Sequence, residues 1–148
     1  MICQTFSKAY GLAGIRLGIG MANPVIIEYF NKIKPPYNIN TLTQKMALAA
    51  LKDSSNVQSQ VKTLISERQQ IKKRLMSFDF VKYIYPSDAN FLLIKVDDAS
   101  LRYDQFLTQG IVVRNRSSQL GCNNTLRISV GTPEENITFI NACKTIDQ

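Results

Sequence analysis

The chain has 148 residues, of which 45% are hydrophobic and 20% charged. That allows one ordinary domain or two small lobes and excludes a disordered tail, a collagen-like repeat and a disulfide scaffold. It contains no histidine, which removes Ser-His-Asp triads, Cys-His pairs and His-based metal sites, so no metal is expected. The net charge of +7 comes from 18 Lys and Arg against 11 Asp and Glu. These charges are dispersed. The longest cluster, Lys72-Lys73-Arg74, has no interleaved aromatics, so it reads as a solvated helix face rather than a nucleic-acid surface.

In chain order, residues 2–6 read as a strand and 7–14 as a glycine-containing loop. Residues 15–22 read as a second buried strand, both strands belonging to a parallel sheet. There is no basic n-region or apolar h-region at Met1, so this is no signal peptide, and further chain is expected before it. Asn23-Pro24 is a helix start, and the helix carries Val25, Ile26, Tyr29, Phe30 and Ile33 on one side before Pro35-Pro36 stops it. Thr41 is expected to cap the next helix, which carries Leu42, Met46, Leu48, Ala49 and Leu51.

Val57, Val61, Leu64, Ile65, Ile71, Leu75 and Phe78 form one stripe of a long amphipathic helix, about residues 56–77. Residues 81–85 and 90–96 then read as strands, and Ser100 as the cap of a helix ended by Gly110. Residues 111–114 and 126–130 read as two more strands. Thr132-Pro133-Glu134-Glu135 is a capping box opening a helix that buries Phe139, Ile140, Cys143 and Ile146. The class is α/β. The division expected is 1–55 and 56–148, the second part being α+β. No apolar run approaches the ~20 residues that span a bilayer, so no membrane partner is expected. The three cysteines, Cys3, Cys122 and Cys143, lack a C-x-x-C spacing. They point to reduced thiols and a cytoplasmic setting, Cys143 being core and Cys122 a loop residue without a base.

The chemistry concentrates near the start. Thr5, Ser7 and Arg16 surround Lys8, with Gly11, Gly14 and Gly18 letting the backbone pass close to a ligand. Two hydroxyls and a guanidinium suit a phosphate. A lysine beside them in an apolar setting is a candidate Schiff-base nucleophile, its pKa lowered by desolvation and a neighbouring cation.

The stretch T-F-S-K-A-Y-G-L-A-G-I-R-L-G (5–18) resembles the pyridoxal-phosphate lysine segment of fold-type-I aminotransferases, and within them the histidinol-phosphate branch. The resemblance implies that Lys8 is the catalytic lysine and that Thr5, Ser7 and Arg16 bind the phosphate of pyridoxal 5'-phosphate. It covers essentially the whole chain but matches only the C-terminal part of the family. Residues 1–55 would then be the last piece of the cofactor-binding large domain and 56–148 the small domain. The family's pyridine-nitrogen aspartate and ring-stacking aromatic lie upstream of the lysine, so the isolated chain is expected to be inactive.

P-P-Y-N-I-N-T-L-T-Q (35–44) follows at the family's distance, which makes Tyr37 and Asn38 candidates for substrate or interface contact; a plain turn is an equal alternative. Asn90-Phe91 resembles the family's strand into the small domain and is assigned to packing. G-I-V-V-R-N-R (110–116) and L-R-I-S-V-G-T-P-E-E-N (126–136) resemble the substrate-binding end, with Arg127 on a carboxylate or phosphate and Arg114 on substrate phosphate. Arg127 between Leu126 and Ile128 points to the opposite face from its neighbours and needs an anion there. Arg116 has no comparable match and is read as solvent-exposed.

The implied reaction moves an amino group between histidinol phosphate and 2-oxoglutarate. The substrates are small molecules, a phosphorylated amino alcohol and glutamate or 2-oxoglutarate, and the enzyme is a homodimer. A threonine-phosphate decarboxylase or an aromatic aminotransferase shares the lysine segment, and a non-catalytic dimerising module is the alternative from another class.

Overall fold

The structure is a computed structural model describing residues 1–148. The chain divides into two compact units, Met1–Val61 and Lys62–Gln148.

The first unit opens with β1 (Ile2–Thr5) and β2 (Gly18–Met21), joined through a 3-10 turn at Ala13–Ile15. The strands form a two-stranded antiparallel sheet with Ile2 opposite Met21 and Thr5 opposite Gly18. This corrects the expected parallel arrangement; both strands are exposed along their whole length. Strands this close in sequence pair by a simple return of the chain, whereas a parallel pair needs a long crossover.

Helix α1 (Pro24–Ile33) starts as read, with the Asn23 side chain accepting from the Val25 N–H at 3.0 Å and Pro24 in the first turn. The next helix, α2 (Thr41–Lys52), is capped by Asn40, not Thr41; its side chain accepts from the Thr43 N–H at 2.8 Å. Both residues are good caps, and the better amide acceptor lies one position earlier. The stripe residues Val25, Ile26, Tyr29, Phe30 and Ile33 of α1 are exposed, from 43% at Ile26 to 78% at Ile33. In this unit only Phe6, Thr43 and Ala47 are buried. Helix α3 (Ser54–Leu75) follows, and the division between the units falls within it.

The second unit contains β3 (Val81–Ile84), β4 (Phe91–Val96), α4 (Ala99–Thr108), β5 (Arg114–Asn115), β6 (Thr125–Ser129) and α5 (Pro133–Ile146). The strands form one antiparallel sheet in the order β3-β4-β6-β5. Alternation puts Leu92, Ile94, Val96, Leu126 and Ile128 on one face, all buried. Ile71 and Leu75 of α3, Ala99 and Phe106 of α4, and Phe139, Ile140, Cys143 and Ile146 of α5 join them in one core. The helices therefore cover a single face, and the other carries Phe91, Leu93, Lys95, Thr125 and Arg127 among its side chains. Burial pushes the Cys143 thiol up to about 12, which keeps it protonated and inert as the core assignment requires.

The ends of these elements follow local chemistry. The capping box is present: the Thr132 hydroxyl accepts from the Glu135 N–H at 3.3 Å, and the Glu135 carboxylate accepts from the Thr132 N–H at 2.8 Å. Helix α4 is capped by Asp98 rather than Ser100, its carboxylate accepting from the N–H groups of Ser100 and Leu101, both at 3.0 Å. Gly110 follows the helix at φ +73°, a left-handed turn that glycine makes without steric cost. The third strand is shorter and later than residues 111–114, because regular pairing with β6 begins only at Arg114. Lys72, Lys73 and Arg74 are exposed in the last turn of α3, where cations suit the helix dipole.

Arg102 ties this unit together. Its guanidinium donates to both oxygens of Asp97, at 3.0 and 2.6 Å, and to the Ile146 carbonyl at the end of α5 at 2.7 Å. It also lies 5.1 Å from the Phe80 ring centroid. The Arg102 guanidinium and then the Asp98 N–H hold the Asp97 carboxyl below the ordinary aspartate value, against the opposing effect of burial. A carboxyl depressed in the folded state stabilises fully above its unfolded pKa, about 4, and that contribution is lost as pH falls through the folded value. Arg102→Ala is expected to destabilise the unit by roughly 2 kcal/mol at pH 7 and by less at pH 3. Chemical denaturation at the two pH values checks this, and an equal loss at both would assign the effect to packing alone.

Candidate anion and cofactor sites

The lysine segment lies between β1 and β2. The Thr5 hydroxyl donates to the Ser7 hydroxyl at 2.8 Å and accepts from the Ser7 N–H at 3.1 Å, which brings the two oxygens together. Phe6 anchors the loop: it is buried, packs against Tyr10 with tilted rings and centroids 4.9 Å apart, and its carbonyl accepts from the Leu12 N–H at 3.0 Å. The Gly11 N–H closes a turn on the Lys8 carbonyl at 2.9 Å.

Arg16 and Asn124 are the two non-glycine residues with positive φ, and Arg16 sits at +54°. A left-handed arginine costs of order 1 kcal/mol, the kind of strain that gathers at functional positions. Its Nη1 donates to the Ala13 carbonyl at 3.0 Å, and the Thr43 hydroxyl holds the neighbouring Ile15 carbonyl at 3.3 Å.

Two hydroxyls, a guanidinium and a primary amine are the donor set that a phosphate-bearing aldehyde requires, and in chemistry these residues fit pyridoxal phosphate. Lys8 is exposed, so the apolar setting expected around it in the complete protein is not formed by residues 1–61 alone. Tyr37 and Asn38, in the turn between α1 and α2, are also exposed, Tyr37 at 94%.

The second cluster lies on the uncovered face of the four-stranded sheet. Arg114 on β5 stands directly opposite Arg127 on β6, and Arg127 is opposite Leu93 on β4. Like charges facing across a ladder repel, so the pairing is unfavourable without an anion between them. None is supplied from within. The ion pairs of the chain are Arg68–Asp88 and Arg102–Asp97, and no carboxylate lies within 4.0 Å of Arg114 or Arg127. The Arg127 guanidinium lies 5.2 Å from the Phe91 ring centroid, and its Nε is buried with no hydrogen-bond partner. A buried, unpaired N–H of a charged group carries a desolvation cost that an anion would remove.

Phe91, assigned to packing from the sequence, is thus also the platform under Arg127. Its loop is held by the Arg68 guanidinium donating to the Ala89 carbonyl at 2.7 Å and by the Ser87 hydroxyl donating to the Phe91 carbonyl at 2.6 Å. No local signal marked that role, because the ring and the guanidinium are 36 positions apart and meet only through the β4–β6 register. Arg116 is half-buried, not solvent-exposed as expected, since its N–H still pairs with the Thr125 carbonyl at 2.9 Å.

The family model for aminotransferase class I and II matches residues 1–143, and the chain belongs to that family. Within it, the chain is 53% identical over 147 residues to the histidinol-phosphate aminotransferase of Christiangramia forsetii, covering 99% of this chain and 42% of the relative. Among solved structures it resembles the histidinol-phosphate aminotransferase from Clostridium acetobutylicum, with a TM-score of 0.90 and 25% identity over 99% of this chain and 45% of that one. It also resembles the Sinorhizobium meliloti histidinol-phosphate aminotransferase in complex with pyridoxal-5'-phosphate, with a TM-score of 0.79 and 26% identity over 97% of this chain and 41% of that one. The chain thus spans well under half the length of these relatives. No helix is long and apolar enough to cross a membrane.

Proposed function

We propose that the complete protein is a pyridoxal-phosphate-dependent transferase that exchanges an amino group between histidinol phosphate and 2-oxoglutarate. The observation that carries this reading is the Arg114–Arg127 pair, two arginines directly opposite each other in the ladder with no carboxylate partner, the Arg127 Nε being buried and unsatisfied. Each substrate of that reaction brings an anionic end, a phosphate on the amino alcohol and a carboxylate on glutamate, and both need such a cradle. Sequence identity of 53% to a histidinol-phosphate aminotransferase supports the same branch.

In this reading Thr5, Ser7 and Arg16 hold the cofactor phosphate, and Lys8 contributes the amine that bonds to the cofactor and carries a proton at its Nζ. The cofactor, when bound, supplies the electron sink. Arg127 receives the anionic end of either substrate and Arg114 favours the phosphate; Tyr37 and Asn38 contact the substrate or a neighbouring subunit of a homodimer. The exposed apolar side of α1, with Val25, Tyr29 and Ile33, supports a setting in which this unit is covered by further protein.

Two assays test the proposal. The complete protein with cofactor is expected to form glutamate from histidinol phosphate and 2-oxoglutarate; no transfer, with release of carbon dioxide from threonine phosphate instead, would move it to the decarboxylase branch. The isolated chain, titrated with pyridoxal phosphate and followed by visible absorbance, is expected to bind weakly and transfer nothing, because Lys8 is exposed. Stoichiometric binding with turnover would overturn the assignment of the remaining catalytic groups to chain outside these residues.

A further inference from the structure

On the uncovered face the ladder arranges side chains in rows. Tyr85, Leu93, Arg127 and Arg114 form one row, in register across all four strands. The next row is Tyr83, Lys95, Thr125 and Arg116. Arg116 belongs to it because two residues along an extended chain restore the same face, and its N–H still pairs with Thr125. Adjacent strands are ~5 Å apart and successive same-face residues ~7 Å apart. Arg116 is therefore a direct neighbour of Arg114 and a diagonal neighbour of Arg127, and Lys95 adds a fourth cation one strand further on. Neither row contains an acid, and no carboxylate lies within 4.0 Å of any of the four. Thr125 is fully buried, its hydroxyl donating to the Cys122 carbonyl at 2.7 Å, whereas Lys95 and Tyr83 of the same row are exposed and Arg116 is half-buried.

We propose that Arg116 is a third arm of the anion site, placed beside Arg114, and that it makes the site selective for a doubly charged phosphate over a carboxylate. A carboxylate has two oxygens and one charge, which Arg127 alone can satisfy through a bidentate pair. A phosphate dianion has three outward oxygens and twice the charge, and a triangle of guanidinia matches both. The repulsion among three arginines on two strands is relieved in proportion to the charge that enters. This rests on the transferase reading for the identity of the substrate, whereas the preference for phosphate is read from the sheet itself.

The probes are inorganic phosphate and acetate, titrated into the 148-residue chain while the backbone amide signals of Arg114–Ser117 and Leu126–Ile128 are followed by NMR. Phosphate is expected to shift those signals. Arg116→Gln is expected to weaken phosphate about tenfold and acetate hardly at all, with Arg116→Lys recovering part of the loss. Equal weakening of both anions would reduce Arg116 to general positive charge, and unchanged phosphate affinity, or no phosphate binding to the wild-type chain, would place it outside the site; any of these overturns the proposal. In the complete enzyme, Arg116→Gln should raise KM for the phosphorylated amine about tenfold more than KM for glutamate. Failure of the transferase reading would look different: a wild-type enzyme without amino transfer whose phosphate binding still depends on Arg116.

Discussion

On the transferase reading proposed above, Lys8→Ala in the complete protein is expected to reduce amino transfer by at least roughly a thousandfold. One side chain is assigned two tasks, covalent attachment of the cofactor and movement of a proton, and general acid–base catalysis alone is worth 10²–10⁴. Reduction with borohydride separates this from misfolding. It should fix the cofactor to the peptide containing Lys8 in the wild type and leave the variant free of covalently held cofactor. The variant should stay folded, because Lys8 is exposed and its side chain makes no hydrogen bond or ion pair. Cofactor still covalently fixed to the Lys8→Ala protein would transfer the role to another amine.

Arg127→Ala is the second large effect. On the proposed reading, truncation removes the group that receives the anionic end of both substrates, and losing one partner of a desolvated charge pair costs about 2–5 kcal/mol. The expected result is a fall in kcat/KM of about thirtyfold to several thousandfold with either substrate, carried by KM. Arg127→Lys should recover only part of it, since an ammonium cannot donate bidentately as a planar guanidinium can. Arg114→Ala should injure the phosphorylated substrate more than glutamate. Equal injury to both by Arg114→Ala would favour a branch whose substrate carries no phosphate.

Several features were legible from residue order because the interactions that create them are local. The Thr132–Glu135 capping box, the Asn23-Pro24 helix start and the glycine after α4 each involve residues no more than four apart. The α5 core positions Phe139, Ile140, Cys143 and Ile146 follow from a 3.6-residue period. The lysine segment was legible for another reason: its spacing of hydroxyls, lysine, glycines and arginine is long and specific.

Where two neighbours compete for one task, order alone chose wrongly. Asn40 caps in place of Thr41 and Asp98 in place of Ser100, because the cap is decided by where the first helical hydrogen bond closes.

What the sequence by itself determined about this protein is therefore its elements, its family and the kinds of side chain that can bind a phosphate. Tertiary structure decided how those side chains meet. The antiparallel pairing of β1 with β2, the exposure of Lys8, the Phe91 ring beneath Arg127, and the alignment of Arg114, Arg116 and Arg127 all depend on strand register and burial. Register is set by which apolar face reaches the core, and a shift of one residue would send every arginine of a strand to the opposite side. The sum of contacts over the whole sheet sets that choice, which no single motif contains.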